Sequence, residues 1–360
     1  MRALLDGRGA ARGGTGIATY VRALAANLVQ VGQNEVRCLC YWGERDAYRS
    51  LGARPWGIPS GRLFRSWQLP RVAVTHGPNF RALDVPRARR VITVHDLAFL
   101  KFPDDYPPAV ATELTNLLER QQWVVERALC ASAATEHDLL GAYPGFDGRT
   151  NVVHLGVHES WFEPPARTEI EDTLRSLGIA KPFILHLGAL VPRKDVPTLV
   201  QAWLLARRER PKLGLVLAGP DARGWKSDAE TVAGLLASAP DGAAHVLGPV
   251  SDQVARRLMA AADAYVTTTK LEGFGLPVLE AMAAGVPVVA TSDAATAEVG
   301  GETIEYVAAR DPDLIAAAIA QTLDQPDETR ISAARERARG YSWRRCAQQT
   351  LAVYRELDQI

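Results

Sequence analysis

Short apolar runs alternate with longer amphipathic segments along this chain, and the alternation occurs twice, with a proline-rich break between the two series. In the first, residues 2–5, 36–42, 72–75, 91–94 and 152–155 read as strands, with 16–31 and 109–129 as the amphipathic segments between them. The run from Trp161 to Pro165 interrupts the pattern. A second series then places strands at 183–187, 213–218, 244–247, 264–267 and 288–290, and helices at 196–209, 228–237 and 254–261. This is the pattern of helices covering a mostly parallel sheet, the α/β class. At 360 residues and 47% apolar composition, the chain can fill two cores. The expected architecture is two doubly wound domains, 1–165 and 175–340, facing across a cleft, with a last helix at 341–360 whose Trp343, Cys346, Leu351 and Tyr354 supply an apolar face. Open parallel sheets bind ligands beyond their strand ends, so functional loops belong there.

Acidic and basic side chains balance at 41 each, which gives no argument for a nucleic-acid partner. Cys38, Cys40, Cys130 and Cys346 form neither a metal-ligand spacing nor a disulfide framework, and a reducing cytoplasm fits them best. The opening apolar run is too short for a signal peptide, and no stretch has the length of a membrane span. Residues 45–90 hold ten arginines and two acids, with Trp56, Phe64, Trp67 and Phe80 interspersed. Two readings stand: a patch that meets a phosphorylated acceptor or an anionic membrane surface, or an ordinary solvated face over scattered core aromatics.

The densest chemistry lies in 272–287. Pro277 suits the start of a helix, and Gly285 and Pro287 punctuate its end. The run Gly273, Phe274, Gly275 and Leu276 stands just ahead, where backbone N–H groups can face anionic oxygens. Glu272 lies outside the helix start and Glu280 about one turn inside it, so the two carboxylates can reach different parts of one elongated ligand. A crossover helix whose acid answers the helix dipole would explain Glu280 alone.

Further segments could complete a site. Between the first strand and helix, Gly13, Gly14 and Gly16 allow a close turn beneath a diphosphate, although the spacing matches neither dinucleotide nor P-loop fingerprints. His95 and Asp96 follow a buried-looking strand; His95 could donate to a sugar oxygen, and a satisfied core histidine is its rival. His76 could line the acceptor side. At 183–195 a strand ends at Gly188 and two cations, Arg193 and Lys194, arrive where the next helix begins, suited to neutralising phosphate oxygens. Gly219 and Asp221 end another strand in a turn that could pass beside a nucleotide.

Taken together, these segments resemble a retaining glycosyltransferase of glycosyltransferase family 4, mannosyl- or rhamnosyltransferase-like, over nearly the whole chain. The resemblance implies the B-type fold of two Rossmann-like domains, with the 341–360 helix crossing back to the N-terminal one. It implies that Glu280 binds the nucleotide ribose, that Glu272 contacts donor sugar hydroxyls, that Arg193 and Lys194 bind the diphosphate, and that His95 faces the donor sugar. Ala189 stands where family members often carry arginine, which leaves Arg193 the electrostatic work. The implied donor is a nucleoside diphosphate sugar, GDP-mannose first and UDP- or dTDP-sugars next. The acceptor is a saccharide or lipid-linked saccharide. No metal or other cofactor is expected, because no paired-aspartate motif accompanies these loops. Two rivals remain: a nucleotide-sugar epimerase of the same fold, and a non-catalytic nucleotide-sugar-binding regulatory module.

Overall fold

The computed structural model of the protein describes residues 2–10, 15–32, 35–58, 69–220 and 226–359; Gly13, Gly14, Phe64, Trp67 and Asp221 lie outside them. The chain divides into two compact units. Met1–Leu100, Ala109–Gly156 and Tyr341–Ile360 form the first, and Lys101–Pro108 with Val157–Gly340 the second.

Chain order in the first part is β1 (Ala3–Asp6), α1 (Gly16–Gly32), β2 (Val36–Tyr41), α2 (Arg45–Ser50), β3 (Pro55–Ile58), β4 (Val74–Gly77), β5 (Arg89–Val94), α3 (Ala98–Lys101), α4 (Pro108–Gln121), β6 (Arg127–Cys130), α5 (Ala133–Ala142) and β7 (Thr150–Val152). The sheet of this unit runs β3-β2-β1-β4-β5-β6-β7, with each neighbouring pair parallel. The 109–129 stretch is not one helical segment. α4 stops at Gln121, a turn closes through Val124 N to Gln121 O at 3.1 Å, and β6 begins at Arg127. Val125, Ala128 and Leu129 suit either period, and pairing of β6 between β5 and β7 decides for the strand.

The second part continues with α6 (Arg167–Leu177), β8 (Phe183–Leu187), α7 (Val196–Arg207), β9 (Gly214–Ala218), α8 (Ala229–Leu236), β10 (Ala244–Val246), α9 (Asp252–Ala261), β11 (Ala264–Thr267), α10 (Leu276–Ala284), β12 (Val288–Thr291), α11 (Ala294–Gly300), β13 (Glu305–Val307), α12 (Pro312–Asp324) and α13 (Glu328–Arg339). Its parallel sheet runs β10-β9-β8-β11-β12-β13. Every residue of β8, β11 and β12 is buried, as expected of parallel strands covered on both faces. Ile184, Leu215, Leu217, Val266 and Val289 from this sheet pack with Leu199, Val200 and Trp203 of α7 and Ile315 and Ile319 of α12. Trp203 is fully buried, and its indole N–H donates to Leu213 O at 3.1 Å. Residues 101–108 join this unit through an Asp105–Lys270 ion pair at 3.2 Å, with the same ammonium 5.7 Å from the Phe102 ring centre.

The chain ends in α14 (Trp343–Asp358), capped by Ser342 Oγ, which accepts from Arg345 N at 3.2 Å. This helix packs against α1 in the first unit, and its Trp343, Cys346, Leu351 and Tyr354 are buried. Both sheets are doubly wound: strand order reverses between β1 and β4 in one and between β8 and β11 in the other. Those two switch points are where each sheet opens a crevice beyond its strand ends.

Candidate active site

At the switch point of the second sheet, β8 ends at Leu187 and the chain reaches the turn 192–194, while β11 runs out through Thr268, Thr269 and Lys270 into Glu272. The β11 extension holds the basic turn in place. Thr268 Oγ1 donates to Lys194 O at 3.1 Å and to Asp195 O at 2.9 Å, Thr269 Oγ1 donates to Arg193 O at 3.3 Å, and Lys270 N donates to Arg193 O at 2.9 Å. Thr291 Oγ1 in turn donates to Thr269 O at 2.6 Å. Such a fixed backbone aims the two cations.

Arg193 and Lys194 converge on one carboxylate. Arg193 Nη1 lies 3.3 Å from Glu272 Oε2 and also donates to Leu271 O at 2.7 Å, while Lys194 Nζ pairs directly with Glu272 Oε1. Lys194 is only 8% exposed. Burial opposes the charge on Glu272, but the fields of Lys194 and Arg193 and the hydrogen bonds from Lys194 and Thr269 outweigh it and hold the carboxyl at about 2. Burial likewise lowers the Lys194 ammonium, with Glu272 opposing the shift. Two positive charges thus face the Glu272 carboxylate directly, and the Asp293 carboxylate lies near enough to support the charge on Lys194 as well.

The loop from Gly273 leads into α10. Gly275 sits at φ +91°, a left-handed conformation that glycine adopts at no steric cost, and it stands directly before the first helical residue, Leu276. Pro277 follows within the first turn. The first N–H groups of a helix have no partner inside it, and a helix start of this kind can face negative oxygen. Phe274 is buried and anchors the loop.

Asp293 ties this loop to the next helix. Its carboxylate caps α11, accepting from Ala295 N and Thr296 N at 3.2 Å each and from the Thr296 hydroxyl, and it also accepts from Glu272 N at 3.4 Å. Burial raises its pKa. Beside these groups Gly219 follows β9, where a side chain is excluded: a Cβ there would stand 2.2 Å from Gly188 O. Gly188 N donates to Ala218 O at 2.8 Å, so the two glycines lie side by side at adjacent strand ends.

Glu280, half-buried one turn into α10, makes no hydrogen bond or ion pair with a described residue. Burial, assisted by Asp252 at the start of α9, pushes its carboxyl up to about 8. His186 on β8 is fully buried; its Nδ1–H donates to Val266 O at 3.0 Å, and burial, then Lys194, hold it at about 4.

In the first unit, Gly16 opens α1 and is exposed, with Thr15 Oγ1 accepting from Ala18 N at 3.2 Å to cap the helix. His95 follows β5 and is largely enclosed. Its Nε2–H donates to Pro78 O at 2.8 Å, so the neutral ring presents a lone pair at Nδ1. The ring is therefore an acceptor rather than the donor expected from sequence. Burial keeps its pKa low. Asp96 caps α3 through Ala98 N at 3.0 Å. His76 does not line a surface: it is fully buried with both ring nitrogens hydrogen-bonded.

Sequence reasoning passed over Thr268, Thr269 and Asp293, the groups that position the site. A polar Thr run closing a buried strand and an Asp just before a helix were the available signals. A cavity of about 590 Å³, lined by Pro182, Arg210, Leu213, Asp263 and Leu323 among others, lies at the opposite, N-terminal ends of β8, β9 and β11 and contains none of these groups. Among the described residues no set of three or more His, Cys, Asp or Glu side chains is arranged to hold a metal ion, and no helix is long and apolar enough to cross a membrane.

Residues 181–325 match the family described as Glycosyl transferases group 1. The O-antigen chain mannosyltransferase B of Escherichia coli is 30% identical over 288 residues, covering 79% of this chain and 74% of that protein. The alpha-maltose-1-phosphate synthase of Mycolicibacterium smegmatis is 29% identical, covering 74% and 73%. In three dimensions the chain resembles Anabaena Alr3699/HepE, solved in complex with UDP and glucose, with a TM-score of 0.77 at 18% identity over 98% of this chain and 99% of that one. With two Rossmann-like units of the B-type fold and a relative of this identity and coverage, the chain belongs to the group 1 glycosyltransferases, enzymes of nucleotide-sugar-dependent glycosyl transfer.

Proposed function

We propose that the protein transfers a hexosyl unit, mannose first, from a nucleoside diphosphate sugar to a hydroxyl of a saccharide or lipid-linked saccharide, with retention of configuration. The observation that carries this reading is the convergence of Arg193, Lys194 and Glu272 at the switch point ahead of α10. Cleavage of the bond between the anomeric carbon and the diphosphate oxygen puts positive charge on the sugar and negative charge on the leaving group. Arg193, Lys194 and the N–H groups opening α10 stabilise that negative charge without a metal ion. The acceptor oxygen bonds to the anomeric carbon on the face the diphosphate leaves, and its proton passes to a diphosphate oxygen.

Glu272, ionised throughout the neutral range, orients the sugar through its hydroxyls. Glu280 takes the ribose, and His95 accepts a hydrogen bond from a sugar hydroxyl at Nδ1. Glu272 is not assigned as a covalent nucleophile, because double displacement needs a pair of carboxyl groups at one glycosidic bond, and Glu280 is assigned elsewhere. Mannose, with GDP as its carrier ahead of UDP or dTDP, is supported by the mannosyltransferase among the relatives. The reaction is assigned to the cytoplasmic side, where a lipid-linked acceptor would be met at the membrane face.

The test is a screen of nucleotide sugars against soluble and lipid-linked saccharides, with and without chelator. A new glycoside formed only when an acceptor is present, and unaffected by chelator, is the expected result. Donor rearranged without acceptor would identify an epimerase, and binding without turnover across the panel a regulatory module. Within the active pair, Lys194→Ala is expected to lower kcat by about 100-fold while nucleoside affinity falls less than about tenfold. The reverse ordering would remove Lys194 from transition-state stabilisation.

A further inference from the structure

A continuous hydrogen-bonded chain runs through the interior of the first unit. Tyr354 Oη on α14 lies 2.6 Å from His76 Nδ1 on β4, His76 Nε2 lies 2.7 Å from Thr93 Oγ1 on β5, and Thr93 Oγ1 lies 2.9 Å from Tyr20 Oη on α1. All four side chains are buried. Burial, then the neighbouring His95, hold His76 at about 3, so its ring is neutral, with one N–H and one lone pair. It must donate at one end and accept at the other, which gives the chain a single polarity. A buried network of this kind rigidifies its members only while every group is satisfied.

Thr93 also holds a second wall. Its carbonyl accepts from Phe80 N at 2.9 Å, and Phe80 sits at φ +59°, a conformation that a bulky side chain adopts only when its surroundings impose it. Tyr20 and Phe80 are two rings that stand edge-on to His95, with centroids 5.1 and 6.4 Å away and interplanar angles of 83°. Thr93 therefore ties down both flanks of the His95 ring, one through its hydroxyl and one through its carbonyl, while Pro78 O fixes Nε2. The remaining freedom, the tilt that aims the Nδ1 lone pair, is set by those two edges.

We infer that Thr93, with His76, Tyr20 and Tyr354, is a positioning network that fixes the His95 ring and couples its aim to the seating of the C-terminal helix. The inference rests on the reading of His95 as the sugar-facing acceptor. None of the four touches the reacting atoms; they act through His95, and small errors of aim at such a group cost rate more than binding.

The experiment uses the full chain labelled with ¹⁵N-histidine, which carries seven histidines, with His95→Gln serving only to assign the His95 ring signals. Thr93→Val removes the hydroxyl and leaves the backbone bond to Phe80, Thr93→Ser restores the hydroxyl, and Tyr354→Phe breaks the far end. Expected are shifted ring signals of both His76 and His95 in Thr93→Val and Tyr354→Phe, with return toward the parent in Thr93→Ser. With the active donor, Thr93→Val should lower kcat about tenfold while donor KM stays within about twofold. His76 signals that move while those of His95 stay unchanged would overturn the network, as would a loss of thermal stability with kcat unaltered in the folded fraction. Should Thr93→Val fail to fold, Tyr354→Phe and Tyr20→Phe carry the same comparison. Absence of glycosyl transfer in the parent protein would sink the functional reading yet leave the ring signals to decide the coupling.

Discussion

Two carboxylates eight positions apart in sequence, Glu272 and Glu280, are driven in opposite directions by their surroundings. Glu272 is held at about 2 against an ordinary 4.5, because two cations outweigh its burial; the stability this lends is complete above about 4.5 and is lost as pH falls toward about 2. Glu280, half-buried with no cation paired to it among the described residues, is pushed up to about 8 by that burial and by Asp252, so it holds its proton far more tightly than an ordinary carboxyl. If ribose hydroxyls donate to Glu280, nucleotide binding favours the carboxylate and releases that proton. Affinity should then climb with pH, by up to about tenfold per unit, and level off above about 8. Calorimetric titration of the nucleoside diphosphate across this range checks it: Glu280→Gln should flatten the profile, and a flat parent profile would take Glu280 off the ribose. The start of α10 was legible from local spacing, since glycines followed by a proline ahead of an apolar run punctuate a helix. The pairing of Arg193 and Lys194 with Glu272 was not legible, because it joins groups 78 and 79 positions apart.

At the level of elements, the site is a set of strand ends and helix starts locked by side-chain caps. Asp293 caps α11 and receives Glu272 N, so one carboxylate sets both the helix start and the backbone at Glu272. Asp293→Ala should destabilise the second unit by about 1 kcal/mol, whereas Asp293→Asn, an equally good cap, should cost only a few tenths. Chemical denaturation distinguishes them, and equal losses in the two variants would show that charge rather than capping is at work. Helices with clear punctuation, α1, α10 and α14, could be read from their glycines, prolines and caps. The 109–129 stretch could not, since a short apolar run satisfies both helical and strand periods until neighbouring strands choose.

Across the whole molecule, two sheets each fill their own core, and their perturbations should stay separate. Trp203→Ala empties the centre of the second core and should cost that unit about 3–5 kcal/mol. Amide exchange reads this directly: protection should fall along β8, β9, β11 and β12 and persist along β1, β4 and β5. Loss in both units alike would show that the two sheets unfold as one. By itself, the sequence determined the α/β class, the two series of elements and the loops that carry glycines and charges, because hydrophobic period, turn chemistry and helix punctuation are properties of neighbours along the chain. The tertiary structure alone decided the strand order that brings β8 beside β11, the threonine clamp on the basic turn, the shared carboxylate and the interior chain behind His95. Those depend on which distant segments meet, and burial then gives each buried charge or hydrogen bond an energy that no local pattern specifies.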